Sequence, residues 1–127
     1  MTTDLAKLGI LIVDDEDGIR NILDRIFQSA GYRVECRANG VEGLKCFRES
    51  SFDVVIADRG MPEMNGEEMA ARIKATHPHL PIILITGLSH LVTRPDLFVA
   101  VLSKPFRPGA LMDLVAQATS AGCRCCD

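Results

Sequence analysis

LGILIVDDEDGIRNILDRIFQSAG, residues 8–31, decides how this chain folds. Residues 8–13 are a short, almost wholly apolar run, the pattern of a strand covered on both faces rather than of one with a wet side. The period then changes. Ile19, Ile22, Leu23, Ile26, Phe27 and Ala30 recur at the i, i+3, i+4, i+7 spacing of one buried helix face, and Gly31 supplies a stop. A buried strand followed by an amphipathic helix is one βα unit.

The unit repeats along the chain. Further apolar runs occupy 33–36, 52–57, 81–85 and 98–102. A second helix is expected from Asn39, where Glu42 three places on suggests a capping box and Val41, Leu44 and Phe47 form the apolar face. The third should run over 65–76 with Met69, Ala70 and Ile73 inward, ending at the break before Pro78. The last should start at Pro108 and bury Leu111, Leu114, Val115 and Ala118. Residues 87–96 carry no helical stripe and a proline at 95, so they read as a loop or a single turn with few apolar anchors. Right-handed crossovers wind such a chain into a doubly wound α/β sheet of five parallel strands in the order 2-1-3-4-5. The expected fold is flavodoxin-like, its fourth helix shortened or absent.

With 127 residues the chain is of one-domain length, and 47% hydrophobic and 24% charged residues are ordinary globular usage. A net charge of −3 without a basic cluster gives no footprint for direct nucleic-acid binding, so any partner should be a protein. No apolar run is long enough to span a bilayer, and MTTDLAKLG is no signal peptide, which points to the cytoplasm. Five cysteines, three of them at 123, 125 and 126, form no disulfide framework. The expected division is a domain over 1–120 and a Cys-rich, disordered tail over 121–127.

In an open α/β sheet, ligands bind beyond the carboxyl ends of the strands. At those ends stand Asp14 and Asp15, Asp58, Thr86 and Lys104. Each has an ordinary explanation singly: acidic residues before a helix oppose its dipole, Asp58 could form a turn, Thr86 could bond backbone, and Lys104 could be a solvated charge. Together they place three carboxylates, a hydroxyl and an ammonium on one edge. Converging carboxylates repel unless a cation separates them. Oxygen ligands without His or thiolate suit Mg²⁺, while Lys104 and Thr86 suit phosphoryl oxygens.

Four segments carry a more specific resemblance: ILIVDDED at 10–17, VVIADRGMPEMNG at 54–66, IILITG at 82–87 and SKPF at 103–106. In order, and nearly in spacing, they resemble the signatures of receiver domains of two-component signalling, over about residues 8–118. The resemblance implies that Asp58 is phosphorylated by a histidine kinase or histidine phosphotransfer protein. It also implies that Asp15 and Asp58 ligate Mg²⁺ directly, that Asp14 acts through water, and that the Gly60 backbone carbonyl is a further ligand. Thr86 and Lys104 would contact the phosphoryl group, and a downstream protein effector would read the result. Such a chain is a switch with autophosphorylation and autodephosphorylation chemistry only, here expected to stand alone.

Two positions depart from the family pattern. Val101 stands where receivers usually carry an aromatic residue, and the stretch from Thr86 to Lys104 is about one helical turn short. The usual coupled motion of threonine and aromatic ring is therefore in question. Two other readings compete. One is a receiver-like interaction module indifferent to phosphate. The other is a haloacid-dehalogenase-like phosphatase in which Asp15 and Asp17 form an Asp-x-Asp motif beside Thr86 and Lys104.

Overall fold

The computed structural model describes residues 7–124. Its elements run β1 (Gly9–Val13), α1 (Asp17–Ser29), β2 (Arg33–Arg37), α2 (Gly40–Glu49), β3 (Val54–Asp58), α3 (Gly66–Thr76), β4 (Ile82–Thr86), β5 (Ala100–Ser103) and α4 (Pro108–Arg124). All neighbouring strands pair in parallel, in the order β2-β1-β3-β4-β5. The fold is the flavodoxin-like one that the βα pattern implies.

Alternation along fully buried strands divides the core in two. Leu11, Val13, Val55, Ala57, Ile82 and Leu84 face Leu44 and Phe47 of α2 and Met69 and Ile73 of α3. Ile10, Ile12, Val54, Ile56, Ile83 and Ile85 face Leu23 and Phe27 of α1 and Leu111 and Val115 of α4. Burying such side chains stabilises the fold by about 1.5–3 kcal/mol each, which is why both strand faces are apolar. The helix ends follow local chemistry. Gly31 takes the left-handed φ of 98° that closes α1, while Asn39 and Asn65 cap α2 and α3 by accepting hydrogen bonds from the Glu42 and Glu68 amides at 2.8 Å.

Four expectations change. Ile22 is 55% exposed and Val41 45% exposed, so the apolar faces of α1 and α2 are narrower than their spacing suggests. β5 starts two residues late, because Phe98 closes a 3₁₀ turn before the strand begins. The short crossover holds two such turns, Ser89–Leu91 and Pro95–Leu97, and it is anchored: Leu97 is buried, and Val92 and Phe98 pack against the core. Helix α4 continues past residue 120 to Arg124. Cys125, Cys126 and Asp127, the end of the expected tail, lie outside the described residues.

Candidate functional site

The strand ends converge as their positions suggest. Asp14 continues the row of Ile10 and Ile12, and Asp58 that of Val54 and Ile56, so pleating brings both carboxylates to the same side of the sheet edge. They are 1% and 5% exposed. Asp15 is exposed beside them, and one carboxylate oxygen from each of Asp14, Asp15 and Asp58 lies within 4.8 Å of the others. Lys104 reaches in from beyond β5, its Nζ 3.4 Å from Asp58 Oδ1, 3.5 Å from Asp14 Oδ2 and 2.7 Å from Glu16 Oε1. The Lys104 backbone amide donates to the Thr86 carbonyl at 2.9 Å, which fixes the lysine's origin next to β4.

Thr86 is 3% exposed, and its hydroxyl accepts a hydrogen bond from the Leu88 amide at 2.9 Å. The Gly60 amide approaches Asp58 Oδ1 at 3.4 Å. Gly66 explains the glycine that ends the Asp58 motif: a Cβ there would stand 2.5 Å from the Asp58 carbonyl oxygen. Only an unsubstituted α-carbon lets α3 start against the backbone of the site.

Crowding shows in the protonation equilibria. The Asp58 carboxyl is pushed up to about 6 by burial first and by the Asp14 charge second, against the pull of Lys104. Burial likewise raises Asp14, opposed by a hydrogen bond from the Glu16 amide and by Lys104. Burial alone would lower Lys104, but its hydrogen bond to Glu16 and the charges of Asp14 and Asp58 outweigh that and raise it. Among the described residues Asp14 Oδ2 has no hydrogen-bond partner, Lys104 being at ion-pair distance only. A buried carboxylate oxygen left without a donor, within reach of two further carboxylates, fits a hard divalent cation. The acidic triad can hold a metal.

Asp17 does not belong to this group. It opens α1, and its carboxylate is taken up by Arg20. Asp17 is thus not among the carboxylates gathered with Asp15, where a dehalogenase-like phosphatase would need it. One polar constellation escaped the sequence reading: Glu67, 7% exposed, accepts hydrogen bonds from Arg59 and from Thr93 and Arg94 of the short crossover. Its signal was faint. Glu67 lies three residues before Ala70, on the inward stripe of α3, where a carboxylate needs partners.

Comparison with known proteins agrees with this geometry. The model of the response regulator receiver domain matches residues 10–116. The response regulator receiver protein CpdR of Brucella abortus is 36% identical over 112 residues, covering 85% of this chain and 91% of CpdR. The sensor kinase CckA of the same organism is 39% identical over 88 residues, 67% of this chain but only 9% of the kinase. Among solved structures, a CheY-like receiver domain protein of Methanospirillum hungatei superposes with a TM-score of 0.85 at 28% identity, covering 91% of this chain and 96% of that one. TrrA of Thermotoga maritima, crystallised with Mg²⁺ and BeF, gives a TM-score of 0.82 at 34% identity, covering 87% and 98%. Sequence motifs, sheet order and the convergent strand ends lead to one conclusion: the chain belongs to the response regulator receiver domain family, the phosphoacceptors of two-component signalling.

Proposed function

We propose that Asp58 is the phosphoacceptor and that Asp14, Asp15, Asp58 and the Gly60 carbonyl form the site for one Mg²⁺. The observation that carries this reading is the placement of the buried Asp58 carboxylate in one acidic triad with buried Asp14 and exposed Asp15, with Lys104 Nζ at 3.4 Å. The donor is a phosphohistidine on a histidine kinase or phosphotransfer protein. An Asp58 oxygen attacks phosphorus in line, the bond from phosphorus to the imidazole nitrogen breaks, and an acyl phosphate forms. Mg²⁺, when bound, supplies positive charge against the oxygens of the transferring group. Lys104 neutralises one of those oxygens, and Thr86 donates its hydroxyl proton to another. At neutral pH the Asp58 carboxyl is mostly ionised despite its raised pKa, as a nucleophile must be.

A groove of about 430 Å³ adjoins Lys104, walled by Ile19, Ile22, Leu23, Phe106 and Pro108. It gives the donor an apolar seat beside Asp58, and Ile22 stands exposed at it. Output is through a downstream protein. The net charge supports no direct role on nucleic acid, and a cytoplasmic site of action is proposed with it. Among the described residues no helix is long and apolar enough to cross a membrane.

Fluorine NMR with beryllofluoride and Mg²⁺ tests the reading, since this complex mimics a phosphoryl group on an aspartate. Bound-state signals lost in Asp58→Asn are expected. Turnover of a chromogenic phosphate ester would favour the phosphatase, and absence of both signals and turnover would leave a module that ignores phosphate.

A further inference from the structure

Among the described residues, side-chain hydrogen bonds tie the crossover from β4 to β5 to the rest of the domain at two places of different character. At its start, the Leu88 amide donates to the Thr86 hydroxyl at 2.9 Å. Farther on, Glu67 Oε1 accepts from the Thr93 amide at 2.9 Å, the Thr93 hydroxyl at 3.0 Å and the Arg94 amide at 2.8 Å. Its other oxygen accepts from Arg59 Nε at 2.9 Å, and Arg59 Nη2 donates to the Leu91 carbonyl at 3.1 Å. Residues 87–91 between the two attachments are exposed.

The second attachment is built on the same frame as the phosphoacceptor. Arg59 follows Asp58 directly, its amide donates to the Ile85 carbonyl at 2.8 Å, and its carbonyl accepts from Met61 and Gly66. Glu67 is the second residue of α3, which begins against the Asp58 backbone. Burial would push its carboxyl up, but the hydrogen bonds it accepts hold it below the usual carboxylate range, so it stays charged and engaged.

We propose that Arg59 and Glu67 form a fixed pivot that divides the crossover, so that the response to phosphorylation is confined to residues 87–90 while 91–98 stays in place. The inference rests on Asp58 being the phosphoacceptor. The Thr86 hydroxyl has one proton and now serves as acceptor for Leu88. Donating to a phosphoryl oxygen does not by itself end that bond, but the side-chain movement that brings the hydroxyl to the phosphoryl group carries its oxygen away from the Leu88 amide and releases residues 87–90. Nothing in the Glu67 attachment involves the phosphoryl group, and Leu97 remains buried behind it. What changes at the surface is therefore the position of Leu88, 51% exposed, relative to a stationary Leu91 carbonyl. With Val101 in place of an aromatic residue, this short arm takes over the part that a rotating ring would play.

Residue-resolved amide exchange on the full chain, with and without beryllofluoride and Mg²⁺, tests the pivot, with binding followed independently by fluorine NMR. In the unsubstituted protein the Leu88 amide should change protection by about threefold or more, while Thr93, Arg94, Leu97 and Phe98 stay within about 1.5-fold. In Glu67→Ala those four amides should lose about tenfold protection and begin to respond to beryllofluoride. Glu67→Gln, which keeps the acceptor oxygen for Thr93 and Arg94 but not the ion pair, should fall between. Should Glu67→Ala fail to fold, the comparison of bound and free unsubstituted protein still decides. Beryllofluoride bound with equal changes at Leu88 and at Arg94 would overturn the pivot alone. Beryllofluoride not bound at all would overturn the functional reading and the pivot with it.

Discussion

Replacing Asp58 with Asn should make the metal-free protein more stable at neutral pH, although it removes a group from the centre of the site. In the folded chain the Asp58 carboxyl titrates near 6, against 3.8 when unperturbed. Between these values the folded state binds more protons than the unfolded one, so stability falls as pH rises through that window. A separation of about two pH units corresponds to a ceiling of about 3 kcal/mol. Lys104 loses one of its partners in the variant, which offsets part of the gain and leaves about 1–2 kcal/mol at pH 7.5. For a domain of this size that is about 4 °C in Tm per kcal/mol. Urea unfolding in EDTA at about pH 4 and pH 7.5 is the assay, with the gap between the proteins opening only at the higher pH. Saturating Mg²⁺ should then stabilise the unsubstituted protein more than the variant. If Asp58→Asn is the less stable protein at pH 7.5 in EDTA, the carboxylate is held by favourable contacts and the reasoning fails.

Asp15→Asn should weaken Mg²⁺ affinity more than Asp14→Asn, by about tenfold or more on titration, because the Asp15 carboxylate is exposed and can meet the ion directly while that of Asp14 is buried. Ile22→Glu, at an exposed position beside the groove, should slow transfer from a cognate kinase by about tenfold yet leave acetyl phosphate labelling and stability unchanged. Gly66→Ala should cost about 2–3 kcal/mol in urea unfolding, since its Cβ would stand 2.5 Å from a backbone oxygen that cannot move away.

The sheet order and the four strand-end positions were legible in the sequence because each rests on short-range signals. Apolar runs, one clear helical period and the capping residues Asn39 and Asn65 set the elements, and winding rules place their ends together. Asp14, Asp15, Asp58 and Lys104 therefore converge without any pairwise signal between them. The pair of Arg59 and Glu67 had no such route. Glu67 in the first turn of a helix looks like a dipole partner, and its real partners at Thr93 and Arg94 lie 26 and 27 residues away in a segment without periodicity. The start of β5 departs from its apolar run for a related reason. Phe98 and Val99 read as strand by composition, yet Phe98 belongs to the turn that the buried Leu97 draws toward the core. Spacing alone places Ile22 in the core, whereas the groove beside it leaves the side chain open to solvent.

The most direct measurement is the intact mass of the protein before and after acetyl phosphate with Mg²⁺, followed by peptide mapping of the label. One phosphoryl group per chain, labile to hydroxylamine, carried on Asp58 and absent in Asp58→Asn, is the expected result. No mass gain under conditions where Mg²⁺ binds, or a label mapped to Asp15, would contradict the assignment of Asp58 as the phosphoacceptor.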